Sequence, residues 1–171
     1  MSKRDLKKYL NTLNKEQLEE QLIDLYERFN QVKTYYNFVF NPKEEKLIGE
    51  CKAKISNEYF PTGKRKKPKM RRSVAQKFIK HFITIGVDPV LIADVMLFNL
   101  EIAQTFSSEK PIKQEAFYKS MFNSYKQSIE FIIQNGILND FKPRLLKIYA
   151  ETQHQDWLNQ YDFEMAIEMM D

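Results

Sequence analysis

The stretch Met70–Phe106, MRRSVAQKFIKHFITIGVDPVLIADVMLFNLEIAQTF, decides the fold. Val74, Phe78, Ile79, Phe82 and Ile85 recur at the spacing of one helical face. Gly86 then suits the left-handed position just past a helix end. Asp88 can cap a second helix, and Pro89 fits its first turn, where a missing N–H costs nothing. That second helix carries Val90, Leu91, Ile92, Ala93, Val95, Met96, Leu97, Phe98, Leu100, Ile102, Ala103 and Phe106. Only Asp94, Glu101 and Thr105 line up as a polar strip, with Gln104 at its flank. A helix apolar nearly all round belongs in the middle of a bundle.

Working outward, the same grammar repeats. Residues 3–13 predict a short helix with Leu6, Tyr9, Leu10 and Leu13 on one side. Asn14-x-x-Gln17 matches a capping box, and the helix behind it carries an inward stripe of Leu18, Leu22, Leu25, Tyr26 and Phe29. Asn30-Gln31 marks a break. Beyond it Val32, Tyr35, Tyr36, Val39 and Phe40 continue as helix, although Tyr36–Phe40 also alternates like a strand. Asn41-Pro42 restarts a helix reaching about Tyr59, with Glu50 and Lys54 spaced to pair. Ser107–Pro111 predicts a loop, Ile112–Asn135 a helix of about 36 Å, and Asp140–Gln153 another. Trp157, Leu158, Tyr161, Phe163, Met165, Ile167 and Met169 finish the chain as one or two short helices. The corners before Pro89 and Pro143 echo each other as helix–Gly–helix turns. The expected fold is all-α: one domain over 1–171, with about eight helices in a multi-helical bundle or a short array of helical hairpins.

Composition narrows the class. The chain has 171 residues, 4 Gly, 6 Pro and a single cysteine, Cys51. Sparse punctuation favours long helices, and one cysteine excludes a disulfide framework or a Cys-based zinc cluster. The positive N-terminus has no apolar run behind it, so no signal peptide is expected. The helix from Pro89 to Phe106 is interrupted by Asp94, Asn99 and Glu101, so no membrane span is expected either. A cytoplasmic protein is the expectation. Asn99 lies in the middle of an apolar face and is expected to hydrogen-bond there.

The net charge of +4 is uneven. Lys64, Arg65, Lys66, Lys67, Lys69, Arg71 and Arg72 put seven cations into nine residues with no acid, leaving 20 basic against 23 acidic side chains elsewhere. Residues 150–171 hold six acids and no Lys or Arg. Cations where a helix begins oppose its dipole, and such an end is a natural seat for an anion. Those seven residues are therefore the candidate anion-binding site, running from a flexible loop spanning 60–69 to the start of the next helix. The partner expected is nucleic acid or an acidic protein, recognised through charge. The plainer alternative is a solvated loop.

Other chemistry is thin. Glu151-x-x-His154 has a di-iron carboxylate spacing, but Phe78 stands where His81 would need its glutamate. Asp94 and Glu101 share a face about 10 Å apart in rise. No nucleophile elbow, zinc-protease or phosphate-loop motif occurs. No catalytic residue, metal or cofactor is assigned. A small metal-dependent or carboxylate-based enzyme using Glu151, His154, Asp94 or Glu101 is the alternative to a non-enzymatic interaction module. Met165, Met169 and Met170 make a soft apolar end suited to a partner or a homo-oligomer.

Pro68-Lys69-x-Arg71-x-Ser73, Asp88-Pro89, Asp94-Val95-Met96-Leu97-Phe98 with Glu101, and Phe117-Tyr118-x-Ser120 resemble a bacterial family of small all-helical domains of unknown function. The tail departs from that pattern, having no glycine beside Trp157. The resemblance implies a helical fold and a bacterial source, and it transfers no catalytic residue.

Overall fold

A computed structural model describes residues 2–63 and 67–170. Among the described residues the chain is 80% helical and has no strand. Nine α-helices follow in order: α1 (Lys3–Leu10), α2 (Lys15–Arg28), α3 (Asn30–Phe40), α4 (Glu44–Tyr59), α5 (Arg72–Ile85), α6 (Pro89–Glu109), α7 (Glu115–Gln134), α8 (Leu138–His154) and α9 (Gln160–Ile167). A 3-10 turn, Glu168–Met170, ends the described chain. The ambiguous Tyr36–Phe40 is helix. The chain groups into two compact units, 1–43 and 44–171.

The first unit holds α1 to α3. Ser2 and Asp5 form a capping box on α1, and Asn14 and Gln17 form the one expected on α2. Phe29, in extended conformation, separates α2 from α3. The two helices pack on one another and enclose a small apolar pocket among Leu22, Ile23, Tyr26, Tyr36 and Phe40. The inward stripe expected from Leu18 to Phe29 is not buried. No side chain of α1, α2 or α3 is enclosed, and Phe40 is 78% exposed. Two neighbouring helices cover only one flank of each other, so an amphipathic stripe alone does not make a core.

The second unit is a bundle around α6. Helices α4, α5, α7 and α8 all pack against it, burying Ile92, Ala93, Val95, Met96, Leu97, Leu100, Ala103 and Phe106. Each large aliphatic or aromatic side chain so enclosed contributes roughly 1.5–3 kcal/mol. Cys51, Ile55 and Tyr59 meet this core from α4, and Ala75, Ile79, Phe82 and Ile85 from α5. The α5–α6 corner is built as expected. Gly86 is left-handed (φ 82°), the Asp88 carboxylate accepts from the Val90 N–H at 2.7 Å, and Pro89 opens the helix. Gly136 (φ 69°) turns the corresponding corner between α7 and α8.

By length and composition α6, with 21 residues, is apolar enough to cross a bilayer, which its interruptions had argued against. In the fold it is the packed centre, with 56% of its apolar window buried. It also runs on through Ser107 and Ser108 to Glu109, where a loop was expected. Glu50 pairs with Lys46 rather than Lys54, whose ammonium lies 5.2 Å from the centre of the Phe78 ring.

A last layer closes over α7 and α8. Trp157, buried, meets Phe117, Tyr118 and Phe163 edge to face, and Phe163 also tilts against Tyr125 at 4.8 Å. The Trp157 indole N–H donates to Gln155 Oε1 at 3.0 Å.

Candidate functional site

The start of α5 is where the sequence concentrates charge. The residue that precedes it at the N-cap, Arg71, makes no side-chain cap, and no acid lies in the first turn. The anion missing from the helix itself comes from the end of α4. Glu58, buried, receives the Arg71 backbone N–H (3.3 Å), its Nε (2.9 Å) and its second guanidinium nitrogen (2.8 Å). A carboxylate therefore sits at the positive end of α5, where the dipole favours it. The Glu58 carboxyl is held below its ordinary range, chiefly by the Arg71 hydrogen bond acting against the cost of burial. Behind it the Glu58 carbonyl accepts from Lys69 N (2.9 Å) and Met70 N (3.1 Å), and Met70 takes a left-handed backbone (φ 50°) to allow this.

The four described candidate cations thus fall into three groups. Arg71 is committed to Glu58. Arg72 is half-buried and reaches Ser124 (2.8 Å) and Gln127 (2.6 Å) on α7. Lys67 and Lys69 are exposed. Lys64, Arg65 and Lys66 lie outside the described residues. On the other side of Glu58, Thr62 donates its N–H to Asn57 Oδ1 at 3.1 Å.

A groove of about 620 Å³ runs beside this arrangement, within the range of ordinary ligand sites. Ala53, Phe60 and Val74 supply its apolar surface, and Lys54, Asn57, Thr62 and Arg71 its polar edge. The sequence offered one signal for it, an acid (Glu58) on the inward face of α4 shortly before a run of bases. The reading from the dipole alone overlooked that pair.

The second polar cluster belongs to the carboxylates Asp94 and Glu101. Arg144 on α8 grips Glu101 with two bonds (2.6 and 2.7 Å) and Asp94 with a third (2.7 Å), while Lys52 on α4 holds the other Asp94 oxygen at 2.6 Å. Burial alone would raise the Asp94 carboxyl, but hydrogen bonds from Lys52 and Arg144 outweigh it and hold the group low. Both carboxylates are thereby occupied in tying α4 and α8 to α6. Glu151 accepts from Gln155 at 2.6 Å, and His154 is exposed at the end of α8. Among the described residues no three His, Cys, Asp or Glu side chains gather as metal ligands.

Cys51 is fully buried, and desolvation pushes its thiol up to about 12, so it is inert. Asn99 is 2% exposed as expected. Its amide shows no hydrogen bond among the described residues, yet it is not among the polar atoms sealed from solvent without a partner.

No curated protein and no solved structure matches this sequence. A family does, from residue 1 to 171, and the chain accordingly belongs to a family of unknown function, DUF6155.

Proposed function

We propose that this protein is a non-enzymatic helical interaction module whose basic segment, residues 64–72, meets an anionic partner in the cytoplasm. The partner class favoured is an acidic stretch of another protein, ahead of nucleic acid. The observation that carries this is the groove of about 620 Å³ between α4 and α5, beside the basic segment. Its apolar floor and the Lys54 ammonium in its lining suit a peptide that alternates carboxylates with apolar side chains. Glu58 also lies in that wall, neutralised by Arg71, and a chain of phosphates would run past it with less gain. Exposed Lys67 and Lys69, with Lys64, Arg65 and Lys66 preceding them in sequence, supply attraction through charge.

The test is fluorescence anisotropy with a labelled Glu/Leu peptide and with single-stranded RNA, at ~50 mM salt and upward. Binding is expected for both polyanions, tighter for the peptide and weakened by salt. Replacing Lys64, Arg65, Lys66 and Lys67 together by Ser should abolish it while barely changing the melting temperature. Absence of polyanion binding, or binding indifferent to salt, overturns the proposal. Equal affinity for RNA and peptide overturns the preference for an acidic protein.

A further inference from the structure

The far end of the second unit carries the opposite charge and an uncovered apolar strip. Helix α9 has two apolar faces. Trp157, Phe163, Ala166 and Met170 turn inward and are buried. Tyr161 and Met165, four residues apart, share the opposite face of the helix, with Leu158 in the turn before it and Met169 in the 3-10 turn after it also left exposed. Leu158, Tyr161, Met165 and Met169 are 67%, 72%, 62% and 40% exposed. Asp162 flanks this face on one side, and Glu164 and Glu168 flank it on the other, all three exposed. Glu164 is also engaged by the Tyr149 hydroxyl.

Beside these residues lies a groove of about 750 Å³ between the start of α7 and α9, lined by Ala116, Tyr118, Phe122 and Leu158, with two acids, Glu115 and Asp162, and one base, Lys119, among its polar lining. In its wall Asn159 donates Nδ2 to the Tyr118 carbonyl at 3.1 Å, while its buried Oδ1 meets no donor. Stability alone would place polar side chains where Leu158, Tyr161 and Met165 stand.

We propose that this face, the outer side of α9 with the adjoining α7 groove, docks an amphipathic helix of a partner protein whose apolar stripe is flanked by lysines and arginines. The apolar strip, bordered by acids on both sides, is the complement of such a helix. Methionines on a docking strip adapt to different apolar side chains. A second copy using the same face is the poorer occupant. Two-fold pairing sets like patches against each other, here acid against acid. An anionic membrane surface is disfavoured by the same charge.

Two synthetic helices serve as probes: an amphipathic peptide of Leu and Lys, about 18 residues long so that it can hold helical form, and its Leu/Glu counterpart. Titration of the full chain is read by anisotropy of the labelled peptide. The Leu/Lys helix is expected to bind and the Leu/Glu helix not. Tyr161→Ser with Met165→Ser, both at exposed positions, should weaken binding at least ~10-fold with an unchanged circular dichroism spectrum. Asp162→Lys with Glu168→Lys should invert the preference between the two peptides. Equal binding of both peptides, no binding of either, or binding that survives the serine pair overturns the proposal. Sedimentation equilibrium showing a dimer that the serine pair dissolves also overturns it, assigning the face to a second copy.

Discussion

Replacing Arg144 with Met removes one guanidinium and strands two carboxylates. In the native fold Arg144 makes two bonds to Glu101 and one to the Asp94 carboxylate, all between 2.6 and 2.7 Å, and a longer one to the Asp94 carbonyl at 3.4 Å. Breaking a fully buried pair costs about 3–5 kcal/mol. Here the side chains keep 27–37% of their exposure, and Lys52 still holds Asp94, so solvent screening reduces the loss to about 2–3 kcal/mol. For a chain of this size that is roughly 5–10 °C in melting temperature.

Urea unfolding followed by circular dichroism measures it as a lower midpoint at unchanged slope. The pH dependence gives a second readout. Asp94 has a folded pKa below its unfolded value of 3.8, so its contribution is fully present above that value and is lost as pH falls through the folded one. The gap between native protein and variant should therefore narrow below about pH 4. An unchanged midpoint at neutral pH, or a gap that persists undiminished into acid, would refute the view that these charges fasten α4 and α8 to α6.

Three further outcomes are expected. Glu58→Gln loses the paired Arg71 contact and lowers the melting temperature by about 2–4 °C at pH 7; because the Glu58 carboxyl is held low, this deficit should fade in acid as the native carboxylate protonates. Asn99→Leu replaces a nearly buried amide with no hydrogen-bond partner among the described residues, and after some repacking should raise stability by about 1 kcal/mol in urea unfolding. Buried and with its thiol pushed up to about 12, Cys51 should react with a disulfide reagent much more slowly in the native chain than after unfolding, read from thiol-release kinetics.

The features legible in sequence are those whose cause is local. Asn14 with Gln17, or Gly86 with Asp88 and Pro89, act within four residues of each other. The all-round apolarity of α6 likewise needs no knowledge of its neighbours. Arg144 was illegible because its partners lie 43 and 50 residues upstream, and an arginine after Lys142-Pro143 looks like any surface charge. One clue was present: Asp94 and Glu101 stand two turns apart on an otherwise apolar helix, which calls for a cation long enough to span both. Arg71 was misread for a related reason. The dipole of α5 made its cations look unsupported, since the compensating Glu58 comes from another helix. In the first unit the periodicity was right about helix but wrong about burial, because a stripe does not specify how many neighbours will cover it.

Helices α1, α2 and α3 have 8, 14 and 11 residues and enclose no side chain. Isolated helices of such length are marginal in water; capping boxes and the α2–α3 contact support them. The first 43 residues therefore have a free energy of opening of their own, well under that of the bundle. In deuterium exchange their amides would label within the earliest time points, while those of α6 wait for global unfolding. Denaturation followed by total helix signal would then begin before the bundle yields, and a single fitted transition would understate the stability of residues 44–171.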